Sequence, residues 1–175
     1  MNIFIAALEE EIQHMDFFYL SGVGKINATF KSLELIHKFN PSQIINYGTA
    51  GAINKKCKGL IECTKFYQRD MDARGLMDFN LGETPFDEIN EIIYNKDGYS
   101  CGSGDNFVKN EIEMKVDIVD MEAYAIAKVC KLKNINFRSF KYITDDANEN
   151  SDKDWIQNCR KGAAEFHKKY KILFK

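Results

Sequence analysis

Carboxylates and small polar residues follow several short apolar runs in this sequence of 175 residues. Glu11 follows the first run, Thr49 follows the third, and Asp105, Glu122 and Asp145 follow later ones. In open α/β sheets ligands bind beyond the carboxyl ends of the strands, so these side chains are expected to meet in one crevice. The set holds no clear nucleophile, which favours general acid–base chemistry or hydroxyl binding over covalent catalysis. Glycosidic bond cleavage fits, because it needs an acid for the leaving group and a base for water.

Each of these residues also has a purely structural interpretation. The three glutamates at 9–11 and Glu122 suit the acidic first turn of a helix, where the helix dipole favours negative charge. Asp145 is typical of a cap or a turn, and Phe107 is typical of an apolar core. The glycines at 22–25 match neither the dinucleotide fingerprint nor the phosphate-binding P-loop. Position alone therefore leaves the chemistry open.

The composition excludes several classes of protein. Lys and Arg number 24 against 26 Asp and Glu, and the net charge of −2 argues against a nucleic-acid binder. The five cysteines have no zinc-type spacing, so reduced thiols are expected and no metal site is. The apolar run at 3–8 lacks a basic leader and is too short to span a membrane, which predicts a cytoplasmic protein.

Strands and helices are expected to alternate along the chain. Strands are predicted at 3–8, 17–20, 44–47, 60–66, 99–104, 116–119 and 137–143, and helices at about 26–37, 121–131 and 153–171. The small residues at 48–52 are interpreted as a turn. An irregular stretch at 68–85 is longer than most connections. The alternation predicts an α/β fold with a mainly parallel sheet, and the length predicts one domain over residues 1–175.

Seven segments carry a resemblance to a known family through their order in the chain. They are Ala-Leu-Glu-Glu-Glu at 7–11, Ser-Gly-Val-Gly-Lys-Ile-Asn-Ala at 21–28, Asn-Tyr-Gly-Thr-Ala-Gly-Ala at 46–52, Tyr-Gln-Arg-Asp-Met-Asp at 67–72, Gly-Ser-Gly-Asp-Asn-Phe-Val at 102–108, Val-Asp-Met-Glu-Ala-Tyr-Ala-Ile-Ala at 119–127 and Tyr-Ile-Thr-Asp-Asp-Ala at 142–147. Together they resemble the nucleoside phosphorylase/nucleosidase superfamily, and most closely its 5′-methylthioadenosine/S-adenosylhomocysteine nucleosidase branch. The chain is shorter than the usual nucleosidase, chiefly between Glu11 and Ser21.

The resemblance implies a role for individual residues. Asp145 is the expected general acid that protonates the purine, and Glu11 is the expected base that activates water. The acid must keep its proton near neutral pH, which burial favours. Phe107 is expected to stack on the purine. The other implied substrate contacts are Thr49, Val108, Met121, Glu122, Val23 and Lys141, the last at a position where these nucleosidases usually carry arginine.

The resemblance also implies what reaction the chain performs. Hydrolysis of the N-glycosidic bond of a purine nucleoside is expected, with 5′-methylthioadenosine or S-adenosylhomocysteine as substrate, adenine as product and no cofactor. The glutamates at 9–11 stand where phosphorylases of the superfamily place a glycine- and arginine-containing phosphate loop, and their charge would repel phosphate. Two alternatives stay open. One is a phosphate-dependent purine nucleoside phosphorylase, and the other is a nucleoside-binding protein without turnover.

Fold and partners are implied in the same way. The fold expected is a three-layer α/β/α domain around a mixed, mainly parallel sheet. The partner expected is a small-molecule nucleoside, with neither nucleic acid nor membrane. A homodimer is expected too, and the loop around Leu76, Met77 and Phe79 is where one subunit would complete the 5′-substituent pocket of the other.

Overall fold

The structure is a computed structural model that describes residues 1–13, 15–148 and 151–174, and in the last stretch the side chains of Trp155 and of residues 158–174. Within these residues the chain forms eight strands and four helices. The strands are β1 (Asn2–Ala6), β2 (Phe18–Leu20), β3 (Gln43–Ala52), β4 (Leu60–Gln68), β5 (Glu91–Ile93), β6 (Tyr99–Ser103), β7 (Ile118–Asp120) and β8 (Asn136–Asp145). The helices are α1 (Glu9–Ile12), α2 (Lys25–Phe39), α3 (Ala123–Lys133) and α4 (Ser151–Leu173).

Most of these elements lie where the sequence predicts them. The seven predicted strands and three predicted helices are confirmed, with ends that differ by a few residues. The short elements α1 and β5 were not among them. The predicted turn at 48–52 is wrong, because β3 continues without interruption to Ala52 and pairs with β8 over this stretch.

The strands join in a sheet with the order β2-β1-β3-β7-β6-β4-β5, and β8 pairs with both β3 and β4. A closed circuit of hydrogen-bonded strands therefore runs through β3, β7, β6, β4 and β8. Of the pairings among the described strands, β1 with β2, β1 with β3, β3 with β8, β4 with β6 and β6 with β7 are parallel. The expected α/β fold with a mixed sheet is confirmed.

The parallel neighbours β1, β3 and β8 bring three chain segments to one edge of the sheet. β3 and β8 pair in register from Gln43 opposite Asn136 to Ala50 opposite Ile143. The register then shifts, so that Gly51 lies opposite Asp145. Because parallel strands share a direction, the turn after β1, the last residues of β3 and the end of β8 lie together.

Apolar side chains pack on both faces of β1. Ile3 and Ile5 belong to a core cluster with residues of α2 and α3, whereas Phe4 and Ala6 belong to a second cluster with residues of α4. This alternation follows from the two-residue period of a strand. No helix in the described part of the chain is long and apolar enough to cross a membrane.

Helix α2 has apolar side chains on its outer face. Ala28 and Leu35 are buried, but Ile26 is 81% exposed and Phe30 is 71% exposed. Leu33 is also exposed, and it lies within one or two turns of both along the helix. The helical spacing of Ile26, Phe30 and Leu33 predicts the helix correctly, but these three residues do not lie on the face that packs against the sheet.

Candidate functional site

A cavity of about 300 Å³ opens at the edge of the sheet where β1, β3 and β8 end. Its lining includes Glu11, Val23, Thr49, Phe107, Val108, Met121, Glu122 and Asp145. Two residues that the sequence predicts for the site are not among the lining residues. Lys141 is buried. Asp105, which was expected in the crevice because it follows a strand, has a side chain that is 45% exposed and lies 3.1 Å from Lys25 Nζ. Phe107 is 45% exposed, so its structural interpretation as a core residue does not hold.

Glu11 lies in the first and only turn of α1, and four donors hold its carboxylate. Oε1 accepts hydrogen bonds from the backbone nitrogen and the hydroxyl of Thr49, both at 2.8 Å. Oε2 accepts from the backbone nitrogens of Ala7 and Leu8, both at 3.2 Å. The side chain is therefore an acidic first-turn residue, as its structural interpretation has it, and it also faces the cavity. One role does not exclude the other.

Asp145 is the last residue of β8. Its Oδ1 accepts a hydrogen bond from the backbone nitrogen of Ala147 at 2.9 Å, and its Oδ2 accepts one from the hydroxyl of Thr144 at 2.8 Å. The bond to Ala147 is a turn-forming contact, so the structural interpretation of Asp145 also holds locally. The carboxyl is 9% exposed and lines the cavity.

Glycines of β3 make room for both carboxylates. A Cβ atom added at Gly48 would lie 3.2 Å from Glu11 Oε1 and 3.2 Å from Lys141 Nζ. One added at Gly51 would lie 2.8 Å from Asp145 Oδ1. Because both residues lack a side chain, Glu11, Lys141 and Asp145 can lie close to the backbone of β3.

Lys141 and Asp120 form a buried ion pair in which Asp120 lines the cavity and Lys141 does not. Lys141 Nζ lies 2.7 Å from Asp120 Oδ2, and each side chain is 1% exposed. Burial by itself would lower the pKa of Lys141, but the carboxylates of Asp120 and Glu122 raise it above its ordinary value. Asp120 also accepts hydrogen bonds from the Ser103 hydroxyl and the Ala123 nitrogen. Among the described residues no group of His, Cys, Asp and Glu side chains is arranged to hold a metal ion.

Glu122 directly precedes α3 and lines the cavity. Its Oε1 accepts a hydrogen bond from the backbone nitrogen of Gly24 at 2.9 Å. Burial is the main cause that raises the pKa of Glu122 to about 8, and the negative charge of Asp120 adds to it. Near neutral pH this carboxyl therefore carries a proton in the free protein.

The raised pKa of Glu122 predicts a pH dependence of stability. Between its ordinary pKa of 4.5 and about 8, the folded protein holds a proton that the unfolded chain has lost. The free energy of unfolding should fall as pH rises through this range, by a few kcal/mol at most. Glu122→Gln has no titrating carboxyl at this position, so its free energy of unfolding should not show this fall. As pH rises from 5 to 8.5, the melting temperature of the variant relative to that of wild type should therefore increase by about 5–10 °C. Thermal unfolding across this range checks it, and parallel curves for the two proteins would contradict it.

Arg69, Asp120 and Trp155 are among the lining residues that were not predicted for the site. Trp155 Nε1 donates a hydrogen bond to Thr49 Oγ1 at 2.6 Å. Because an indole nitrogen only donates, the single hydroxyl proton of Thr49 is left for Glu11. Asp120 and Arg69 each stand at or just beyond a strand end, so the rule that found the other residues would have included them. For Trp155 the sequence holds no such signal.

Comparisons with known proteins identify relatives with this fold. The family model for the phosphorylase superfamily matches residues 88–174. The 5′-methylthioadenosine/S-adenosylhomocysteine nucleosidase of Staphylococcus haemolyticus is 29% identical over 159 residues, which cover 75% of this chain and 69% of the relative.

Two solved structures from Helicobacter pylori are similar in fold. An aspartate-to-asparagine mutant of its 5′-methylthioadenosine nucleosidase, with 5′-methylthioadenosine in the active site, superposes with a TM-score of 0.86 at 22% identity and 96% coverage of both chains. Its futalosine hydrolase gives a TM-score of 0.82 at 21% identity and 95% coverage of both chains. The chain therefore has a nucleoside phosphorylase-like fold.

Proposed function

We propose that this chain is a member of the phosphorylase superfamily that hydrolyses the N-glycosidic bond of a purine nucleoside and releases adenine, as its similarity to the superfamily model and to the Staphylococcus haemolyticus nucleosidase supports. We propose 5′-methylthioadenosine or S-adenosylhomocysteine as the substrate, with no cofactor. The observation that carries the proposal is the convergence of Glu11 and Asp145 on one cavity whose wall also presents Phe107. A base, an acid and an aromatic platform are the groups that this reaction needs.

The two carboxyl groups divide the proton transfers between them. Asp145 donates its proton to the five-membered ring of the purine while the bond from the sugar breaks and its electron pair leaves with the base. The sugar carbon then carries oxocarbenium-like positive charge. A water molecule attacks this carbon, and Glu11 accepts the proton that the water loses. The products are adenine and the free sugar.

The remaining lining residues bind the nucleoside. Thr49, Met121 and Glu122 are proposed to hold the ribose, with Glu122 on the sugar hydroxyls. Phe107 stacks on the purine, the backbone of Val108 reads its edge, and Val23 contributes apolar wall. Lys141 acts indirectly, because its ion pair with Asp120 supports the wall from behind.

The charge of the cavity favours water over phosphate as the nucleophile. Four carboxyl groups line it, those of Glu11, Asp120, Glu122 and Asp145. Arg69 is the one cation in the described lining, and its guanidinium bonds to the segment at 104–106. The charge of Asp120 is paired with Lys141 and Glu122 carries a proton near neutral pH, so a phosphate dianion in this place would be repelled chiefly by the carboxylate of Glu11.

Release of adenine with and without phosphate tests the proposal. Chromatography should detect adenine from 5′-methylthioadenosine in phosphate-free buffer, and added phosphate should not increase the rate. Adenosine and S-adenosylhomocysteine in parallel rank the substrates. Release only with phosphate would favour a phosphorylase. Binding of the nucleoside without release would favour a binding protein, and the double variant Glu11→Gln/Asp145→Asn is the inactive control.

We also propose that the protein is a homodimer that buries the outer face of α2. Ile26, Phe30 and Leu33 form an exposed apolar surface there, and the loop residues Leu76 and Met77 are exposed as well. Exposed apolar surfaces of this kind are typical of protein–protein contacts. Phe79 packs on Phe86, with ring centroids 5.8 Å apart.

A charge on this face should break the proposed dimer. Phe30→Glu places a carboxylate that cannot be desolvated without a partner, so the variant is expected to sediment as a monomer at micromolar concentration. Lys38→Glu changes the charge at an exposed position elsewhere on α2 and should sediment as wild type does. Analytical ultracentrifugation compares the three proteins, and a wild-type monomer would refute the dimer.

We propose that residues 1–175 form a single domain with three layers. Helices α2 and α3 share one core cluster and α4 shares the other, and alternate residues of β1 belong to the two clusters. This distribution supports helices on both faces of the sheet.

A further inference from the structure

Arg69 is a buried cation in the cavity wall, directly after β4. It is 8% exposed. Transfer of a guanidinium out of water is costly unless its donors are satisfied, so a buried arginine needs a reason to be there. Its hydrogen-bond acceptors in the described residues are neutral groups, and its Nε has no partner among them. The desolvation of the Arg69 guanidinium is therefore not offset by a hydrogen-bonded carboxylate in the described residues.

The contacts of Arg69 converge on one short segment. Nη1 donates to Asn106 Oδ1 at 2.8 Å, while Nη2 donates to the carbonyls of Asn106 at 2.5 Å and Gly104 at 3.3 Å. The backbone nitrogen of Arg69 donates to the carbonyl of Ser103 at 2.9 Å. The segment 103–106 leads without a break into Phe107 and Val108. One side chain thus fixes the backbone that presents both residues.

Gly104 is fitted to this guanidinium. A Cβ atom at Gly104 would lie 2.7 Å from Arg69 Cζ and 2.8 Å from its Nη1. The guanidinium therefore lies directly against the backbone of the segment, in the space that a side chain would fill. Any residue other than glycine would push the two apart.

Asp70 links the segment 103–106 to the turn before α2, from which Gly24 donates a hydrogen bond to Glu122. Its Oδ2 accepts a hydrogen bond from the backbone nitrogen of Asp105 at 2.8 Å. Lys25 Nζ lies 2.5 Å from Asp70 Oδ2 and 3.1 Å from Asp105 Oδ2. The residue before Lys25 is Gly24, whose backbone nitrogen donates a hydrogen bond to Glu122 Oε1. The segment 103–106 is thus bonded on one side to Arg69 and Asp70 and on the other to the start of α2.

We propose that Arg69 is a positioning residue that holds the segment 103–106, so that Phe107 and Val108 stay in place against the purine. This inference rests on the proposed function for its consequence in catalysis. The acid and the base lie on β8 and α1, outside this segment. Loss of Arg69 should therefore weaken substrate binding and leave the chemical step largely intact.

Hydrogen–deuterium exchange tests whether Arg69 holds the segment 103–106, and it does so without any measurement of activity. In Arg69→Ala the amides of residues 104–108 should exchange at least tenfold faster than in wild type. Arg74→Ala is the matched control, because Arg74 is exposed and bonds to Asp72 and Glu113 away from the segment. Gly104→Ala should reproduce the faster exchange with Arg69 still present, and it replaces Arg69→Ala if that variant does not fold. Unchanged exchange at 104–108 would overturn the proposal.

Steady-state hydrolysis of 5′-methylthioadenosine tests the consequence. Arg69→Ala should raise KM about tenfold or more and change kcat less than about threefold. Arg69→Lys should not restore KM, because lysine lacks the planar fork that reaches three acceptors. An unchanged KM, a fall in kcat alone, or full rescue by lysine would each overturn the positioning role. If wild type releases no adenine, the proposed function fails, and the exchange result alone decides whether Arg69 holds the segment.

Discussion

Asp145→Asn is expected to abolish adenine release while nucleoside binding stays nearly intact. An amide keeps the size of the side chain and can still accept the hydrogen bond from Ala147. It cannot transfer a proton to the leaving purine, so kcat should fall by roughly 10²–10⁴ or more. Single-turnover assays of adenine release, with the dissociation constant from calorimetry, separate the two effects.

The neighbouring aspartate provides the control for this experiment. Asp146 is exposed and not part of the cavity lining, so Asp146→Asn should retain wild-type turnover. If Asp145→Asn hydrolyses the nucleoside within a few-fold of wild type, the general acid must be another group. If it loses binding and turnover together, Asp145 serves mainly to shape the pocket.

Glu11→Gln is expected to have the second large effect, on both rate and stability. The Glu11 carboxylate is the acceptor in all four of its hydrogen bonds. A glutamine would turn its NH₂ group toward two of them, which leaves buried donors unpaired and costs about 1–3 kcal/mol of unfolding free energy. Without a base for the attacking water, kcat should fall by roughly 10²–10⁴.

Glu10→Gln separates the loss of a base from the loss of a charge in α1. Glu10 is exposed in the same turn, so this variant changes the charge of α1 equally. It should keep its melting temperature and its rate. Undiminished hydrolysis by Glu11→Gln would move the base elsewhere. An equal loss in Glu10→Gln would indicate that the charge of the turn matters, and not the carboxylate in the cavity.

The sequence is informative about the site because strand ends are local features. Apolar runs mark β1, β3, β7 and β8, and the polar residue after or at the end of each one falls in the cavity. Glu11, Thr49, Glu122 and Asp145 could be found in this way, and the family resemblance adds roles to them. The α/β alternation is predictable for the same reason, since each element has its own periodicity.

The partners of buried polar residues could not be predicted in this way. Lys141 lies in the middle of an apolar strand, and its partner Asp120 is on β7, which β8 does not pair with. Only the closed circuit of strands brings the two together. The bond from Trp155 to Thr49 spans 106 positions, and no pattern within either segment encodes it.

The glycines of β3 are a second reason why part of the prediction from sequence was wrong. Gly48 and Gly51 indicate a turn when the sequence is considered alone, because turns are the commonest place for clustered small residues. In the structure they belong to a strand, and their missing side chains leave space for Glu11, Lys141 and Asp145. A glycine's role depended here on residues far away in the sequence.

The pairing of β3 with β8 determines when during folding the site comes into existence. The bond between Ser139 and Asn46 across this pairing joins residues 93 positions apart. Contacts of such long sequence separation close late, because the entropy of a large loop must be lost first. Glu11 and Thr49 can meet while the chain is still being synthesised, but Asp145 can join them only after β8 has left the ribosome. A nascent chain therefore holds the proposed base, Glu11, before the proposed acid, Asp145, and the two meet only when its sheet closes.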